Sequence, residues 1–275
     1  MKKLTVKDIR EKKGGGLTML TAYDAPMARL LEQCGVDMLL VGDSLGMVVL
    51  GYDSTVPVTM EEMLHHCRAV RRGGGQTLVV GDMPFGSYQV SVSETVCNGF
   101  RFLKEGGCDA VKLEGGREVC DHVQALVRAG IPVMGHLGLT PQTAGQLGGY
   151  KVQGRDMDAA RKLVEDALAL EEAGIFALVL ECVPGGLARV VTSRLSVPTI
   201  GIGAGPDCDG QVLVTNDMLG LFEKFTPSFI KKYCNLAPQI KDGVSAYLRD
   251  VAKGTFPADE HTFASDLDFS SLLKD

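Results

Sequence analysis

Tryptophan is absent from this 275-residue chain, and no apolar run approaches the length of about 18 residues that a membrane-spanning helix needs. No transmembrane helix is expected. The amino terminus, MKKLTVKDIREKKGGG, starts with lysines but lacks the apolar stretch of a secretory signal. Positive charge is in deficit: 28 Lys and Arg stand against 34 Asp and Glu, a formal net of −6. The doublets Arg71-Arg72 and Lys231-Lys232 are too short to form a basic patch. Neither nucleic acid nor an anionic membrane is therefore an expected partner. Cysteine pairs of the CxxC type are missing too, since the eight cysteines (34, 67, 97, 108, 120, 182, 208 and 234) lie far apart. They read as reduced, small hydrophobic residues, and the cytoplasm is the expected compartment. Zinc is disfavoured, because no Cys/His pair has ligand spacing and the adjacent His65 and His66 would point apart on a helix.

What is present is a core-rich chain, 45% hydrophobic and 23% charged, with 34 glycines. That glycine content points to many tight turns and close backbone approaches. Short apolar runs alternate with amphipathic stretches. The runs near Leu17–Leu20, Met38–Gly42, Thr77–Gly81, Ala110–Leu113, Val133–Gly135, Ala177–Leu180 and Thr199–Ile202 read as strands. MLLVG and TLVVG are apolar without alternation, as expected of strands buried on both faces of a parallel sheet. Helical patterns fall between them, over Pro26–Cys34, Met60–Arg71, Ser93–Glu105, Arg117–Ala129, Met157–Ala173 and Gly186–Arg194. Several stop at glycine, as in EQCGVD, KEGGCD, RAGIP and EEAGIF. An eighth strand is weaker; Phe229–Cys234 is its candidate, with Ala237–Val251 as its helix. Eight βα units in this length predict a single α/β domain over 1–275, a (β/α)₈ TIM barrel.

Two segments stand apart. Gly138–Asp156, GLTPQTAGQLGGYKVQGRD, is long for a βα connection and is expected to carry function or to cover the site. The polar tail over 255–275, with spaced Phe and Leu, reads either as partly disordered or as docking on a neighbouring subunit.

A barrel places its chemistry where its strands end. Here the apolar runs end repeatedly in polar residues: Tyr23 and Asp24, Asp43 and Ser44, Asp82, Lys112 and Glu114, His136, and Glu181. Asp43, Asp82 and Glu114 come from adjacent strands and form an oxygen-only set suited to Mg²⁺. Taken singly, each aspartate could equally cap a turn or helix. Lys112 and Glu114 share one strand face. The lysine reads as half of a buried ion pair, as the counter-charge to an anionic substrate, or as a Schiff-base amine. Glu181 closes the apolar run ALVLE, surroundings that favour a general base; otherwise it caps the following helix. His136 is either a donor to a substrate oxygen or a hydrogen-bonded residue of the pocket wall. IGIGAGPDCDGQ resembles a phosphate loop only superficially, lacking the third glycine of a dinucleotide fingerprint.

Longer motifs contain these residues: LLVGDSLGMVVLGYDSTVPVTMEEM, GDMPFGSY, VKLEGG, GHLGLTPQ with GGYKVQGR, LVLECVP and TIGIGAGPDCDGQVLVTNDMLG. Through them nearly the whole chain resembles the ketopantoate hydroxymethyltransferase family, barrels of the phosphoenolpyruvate/pyruvate superfamily. The resemblance implies transfer of a hydroxymethyl group from 5,10-methylenetetrahydrofolate to 3-methyl-2-oxobutanoate (α-ketoisovalerate) through a Mg²⁺-stabilised enolate. It implies a metal site at Asp43, Asp82 and Glu114, with Glu114 acting through water. Ser44 and Lys112, together with Asp43 and Asp82, would contact the keto acid, and Glu181 would be the base. A homo-oligomer, a decamer, is implied as well. Two rival readings are a Mg²⁺-dependent lyase or mutase of the same superfamily and a barrel that binds without catalysis. Against the first, the chain lacks the K-K-C-G-H type of loop common among those enzymes. Against the second, pure binding has no need of Glu181 beside three carboxylates.

Overall fold

Eight short parallel strands, each paired with the next and the last with the first, close a barrel. The computed structural model describes residues 3–224 and 227–273. In chain order the elements are α1 (Val6–Glu11), β1 (Leu17–Thr21), α2 (Ala25–Gln33), β2 (Met38–Val41), α3 (Leu45–Val48), α4 (Met60–Gly73), β3 (Leu78–Asp82), α5 (Val92–Lys104) and β4 (Ala110–Glu114). There follow α6 (Cys120–Arg128), β5 (Val133–Gly138), α7 (Met157–Ala173), β6 (Ala177–Glu181), α8 (Gly185–Arg194), β7 (Thr199–Ile202), β8 (Gly210–Leu213), α9 (Thr215–Met218) and α10 (Leu236–Lys253).

Local chemistry sets the helix ends. Thr5 and Thr59 open α1 and α4 through reciprocal bonds with Asp8 and Glu62. Ser91 and Asp156 cap α5 and α7 by accepting from backbone N–H groups three residues on. Gly174 stops α7 at φ +103°, a conformation that side chains rarely adopt.

Strand parity divides the core in two. Met38, Leu40, Leu78, Val80, Ala110, Met134, Val179, Ile200 and Val212 point inward and fill the barrel, while Ile9 of α1 closes its floor. The alternate residues, Leu39, Val41, Val79, Val111, Leu113, Val133, Leu178 and Leu180, pack outward against the helices. This is why the strands read as continuous apolar runs. The same parity carries Asp82, Lys112, Glu114, His136 and Glu181 inward one or two steps above the apolar layers. Register levels them: Asp82 pairs with Lys112, and Glu114 with His136.

The eighth strand differs from expectation. It is Gly210–Leu213, not Phe229–Cys234, which forms no strand. No helix separates β7 from β8; the glycine-containing stretch 203–209 joins them directly. A glycine is required at 210, where a Cβ would lie 2.5 Å from the carbonyl oxygen of Leu17 on β1. The helix expected over Ala237–Val251 is present as α10, but only its Ala237 is buried. Ile240, Val244, Tyr247, Leu248 and Val251 are exposed along it. Beyond α10 the chain runs exposed, with Phe256 against the Tyr247 and His261 rings. Positions 274 and 275 of the expected tail lie outside the described residues.

Candidate active site

The C-terminal mouth of the barrel opens into a cavity of about 460 Å³ lined by Asp43, Ser44, Asp82, Lys112, Glu114, His136 and Glu181. All the polar strand-end residues expected to act together are therefore on one wall system. Asp24 is not among them; its side chain accepts from the Met27 amide and caps α2. Tyr23 is buried behind the cavity wall, its hydroxyl 2.9 Å from the Ser44 Oγ.

Charge organises the interior. Lys112 Nζ lies 2.8 Å from Asp82 Oδ1. Burial pulls the lysine pKa down, but the Asp82, Glu114 and Asp43 carboxylates overcome it and raise it above the ordinary range. An amine held as ammonium is a poor nucleophile, so the Schiff-base reading falls away. Burial, and then the Asp82 and Glu114 carboxylates, push the Asp43 carboxyl well above its usual range. Asp82 is also raised, because burial outweighs Lys112. Glu114 goes the other way: against its burial, His136, Lys112 and the Gln142 amide hold it low.

His136 stands between the carboxylates, Nδ1 3.4 Å from Glu114 and Nε2 3.3 Å from Glu181. Burial and Lys112 lower its pKa, yet Glu114 and Glu181 raise it to about 9. Lys112 Nζ also sits 3.1 Å from Nδ1, a contact that fits only a neutral ring accepting from the ammonium. The two features belong to different charge states of one cluster. With several carboxylates around one ammonium, the raised direction is the one the charges demand.

Metal chemistry can be judged from the donors. Asp82 Oδ1, though ion-paired, meets no donor in hydrogen-bonding geometry. Asp43 is pressed by like charges. Among the described residues, no three His, Cys, Asp or Glu side chains converge on one point as a ready metal cage. Mg²⁺ does not require one, since one or two carboxylates suffice when water and substrate oxygens complete the octahedron. The oxygen-only, negatively surplus pair Asp43–Asp82 fits such an ion.

Gln142, from the long 138–156 connection, was not foreseen as a site residue. Its Nε2 donates to Asp43 Oδ2 and to the Met83 carbonyl, each at 2.9 Å. Its backbone N–H donates to Glu114 Oε2 at 3.1 Å, and its Oε1 accepts from the Tyr88 hydroxyl at 2.7 Å. The sequence signal lay in the length of the connection, which also contributes Leu139, Tyr150 and Lys151 to the cavity wall. Tyr88 sat unnoticed in GDMPFGSY. Asp217, in VLVTNDMLG, also lines the cavity and was missed; its signal is one carboxylate in a largely apolar run.

The backbone beside Glu181 is constrained. Cys182 has φ +49°, alone among the described non-glycine residues in being left-handed. Its amide donates to the Ile202 carbonyl and its carbonyl accepts from Gln153, both at 2.9 Å, while the Glu181 carbonyl accepts from Leu139 at 2.8 Å. Those bonds hold a conformation costing on the order of 1–3 kcal/mol and fix the direction in which Glu181 leaves β6.

Members of the phosphoenolpyruvate mutase/isocitrate lyase superfamily have a similar fold. In fold, the chain is similar to 2,3-dimethylmalate lyase, a member of that superfamily, with TM-score 0.58, 16% identity, and 94% of this chain and 92% of that chain covered. It is also similar to a phosphonopyruvate hydrolase, with TM-score 0.60, 15% identity, and 97% and 92% covered. At such identities the likeness is one of fold. The family model for ketopantoate hydroxymethyltransferase matches residues 3–259, and the chain is an enzyme belonging to that family. A 3-methyl-2-oxobutanoate hydroxymethyltransferase of Desulfotalea psychrophila is 66% identical over 98% of this chain and 97% of that protein. The Heliobacterium modesticaldum enzyme of the same name is 58% identical over 98% and 99%.

Proposed function

We propose that this enzyme transfers a hydroxymethyl group from 5,10-methylenetetrahydrofolate to 3-methyl-2-oxobutanoate, giving 2-dehydropantoate for pantothenate biosynthesis. The observation that carries the reading is the presence of Glu181 and the Asp43–Asp82–Lys112–Glu114 cluster around one cavity. The names of the relatives support the same reaction.

Asp43 and Asp82 would hold Mg²⁺, with Glu114 acting through water. That ion, when bound, supplies Lewis acidity that draws electrons from the keto group and makes C3 more acidic. The chain's own residues do the rest. Lys112, kept cationic by its carboxylate neighbours, offsets the charge of the substrate carboxylate and of the developing enolate. Ser44, with Tyr23 on its hydroxyl, contacts the keto acid at the rim. Glu181 takes the proton from C3, and the carbon freed of it attacks the methylene carbon of the folate as one of its two C–N bonds breaks; a water molecule replaces the other folate nitrogen, supplying the hydroxyl and releasing tetrahydrofolate. His136 Nε2 lies 3.3 Å from Glu181 Oε2 but outside hydrogen-bonding geometry, which leaves its N–H for a substrate oxygen. Residues 138–156 border the cavity and would exclude water from the carbanionic carbon.

A homo-oligomer belongs to this reading, supported by the exposed apolar residues of α10. A cytoplasmic location does too, supported by eight free cysteines. Among the described residues no helix is long and apolar enough to cross a membrane.

Deuterium exchange at C3 of 3-methyl-2-oxobutanoate with Mg²⁺ but no folate, followed by folate-dependent formation of 2-dehydropantoate, tests the reading. Both activities are expected. A protein that forms no 2-dehydropantoate when supplied with keto acid, folate and Mg²⁺ would refute it.

A further inference from the structure

The cavity has two unlike halves. Strands β2 to β6 supply its ions, whereas the arc from β7 through β8 contributes Ile202, Val212 and Val214, with Phe222 and Phe229 beyond. Among the described lining residues of that second arc, Asp217 on α9 is the one charged group. It is 7% exposed, and its Oδ1 has no hydrogen-bond partner. A capping or structural aspartate would be expected to be satisfied; leaving a buried carboxylate oxygen unpaired is costly. Nearby chain geometry repeats the pattern. Asn216 Nδ2 donates to the Val48 carbonyl at 3.3 Å, tying α9 to the connection after β2. In that connection Thr55 Oγ1 is likewise buried, without a partner, and in the cavity wall. Burial moves the Asp217 carboxyl up to about 6 despite Lys232.

The keto acid cannot satisfy Asp217. It offers a carboxylate, a keto oxygen and an isopropyl group, which are acceptors and apolar surface only. The folate co-substrate offers what is missing, a flat pterin ring with adjacent N3–H and 2-amino donors on one edge. A carboxylate accepts such a pair bidentately. The ring itself suits the apolar slot beside Phe229, whose aromatic face lies so close to the end of β7 that a Cβ on Gly203 would come within 2.9 Å of it.

We propose that Asp217 recognises the pterin of the folate co-substrate by accepting from its N3–H and 2-amino group. This rests on the hydroxymethyl-transfer reading and adds the group that selects the one-carbon donor. The position also separates the two substrates across the cavity, keto acid at the ionic half and pterin at the apolar half.

Tetrahydrofolate and its 2-desamino analogue are titrated against the wild-type protein and the Asp217→Asn and Asp217→Ala variants, with thermal melts to establish folding. The wild type should prefer tetrahydrofolate over the analogue by about 10- to 100-fold, and both variants should lose most of that preference. In steady state, KM for the folate should rise far more than KM for the keto acid. Variants that fold and discriminate as the wild type does would overturn the inference. So would a wild type indifferent to the 2-amino group. C3 exchange by the wild type, measured without folate, separates the outcomes. Exchange with normal transfer but no role for Asp217 sinks this inference alone, whereas loss of transfer and of tetrahydrofolate binding in the wild type sinks the proposed function with it.

Discussion

Replacing Gln142 by methionine keeps the volume of the side chain and removes its side-chain hydrogen bonds, while the backbone N–H still donates to Glu114. Three partners are then left buried: Asp43 Oδ2, the Met83 carbonyl and the Tyr88 hydroxyl. A bond to a charged acceptor contributes about 1.5–3 kcal/mol and a neutral one about 0.5–1.5 kcal/mol. Because all three share one side chain, the losses do not add in full, and about 3 kcal/mol is the expected destabilisation. For a chain of this size that corresponds to roughly 6–12 °C in melting temperature. The site should suffer as well. Gln142 lowers the pKa of Asp43, which burial and the neighbouring carboxylates already hold high. Without it the carboxyl is protonated more readily, and divalent-ion affinity at neutral pH should fall about tenfold or more. Thermal melts and a Mn²⁺ titration followed by electron spin resonance measure the two effects. A variant with lowered stability but wild-type Mn²⁺ affinity would show that Gln142 supports the fold and not the ion site, and the reasoning would fail.

Glu181→Gln should retain keto-acid and Mn²⁺ binding while C3 exchange and 2-dehydropantoate formation fall together, by about 10² to 10⁴; a fall in transfer with exchange untouched would move the base elsewhere. Chelation should abolish turnover and added Mg²⁺ restore it, and full activity in metal-free protein would remove the ion from the reaction. The folded pKa of Asp217, about 6, lies above the ordinary 3.8, so this group's stabilising effect is present below pH 4 and lost as pH rises through 6. Asp217→Asn should therefore raise the melting temperature at pH 8, by about 1–2 kcal/mol in stability after solvent screening, with the gain vanishing near pH 4. A constant difference across that range would show that the carboxylate charge is not what destabilises the site.

The barrel was legible because strands buried on both faces are written as largely apolar runs, of which MLLV and LVVGD are the clearest. β8 escaped because Gly210-Gln211-Val212-Leu213 follows a glycine-rich turn and no helix announces it. A search for a βα unit therefore ran on to Phe229–Cys234. The ionic half of the site was equally legible: Asp82, Lys112, Glu114 and Glu181 interrupt apolar strands at their inward parity. Gln142, Tyr88 and Asp217 interrupt nothing so conspicuous. Gln142 and Tyr88 reach the site through contacts across 50 or more residues of chain, such as Gln142 to Asp43 with a sequence separation of 99, and Asp217 only by its place in the cavity wall; local composition records neither.

Helix α10 carries a further consequence. A stripe of Ile240, Val244, Tyr247, Leu248 and Val251 gains nothing from burial while it faces water. In the proposed oligomer its contribution arrives only on association, and it then obeys mass action. The melting temperature should rise with protein concentration, and dilution should reach α10 before it reaches the barrel, whose core is closed by its own eight strands. Dilute enzyme would lose subunit contacts while Glu181, Lys112 and Asp82 still faced one cavity. The amount of enzyme in a cell would thus set the durability of the assembly separately from the chemistry of each barrel.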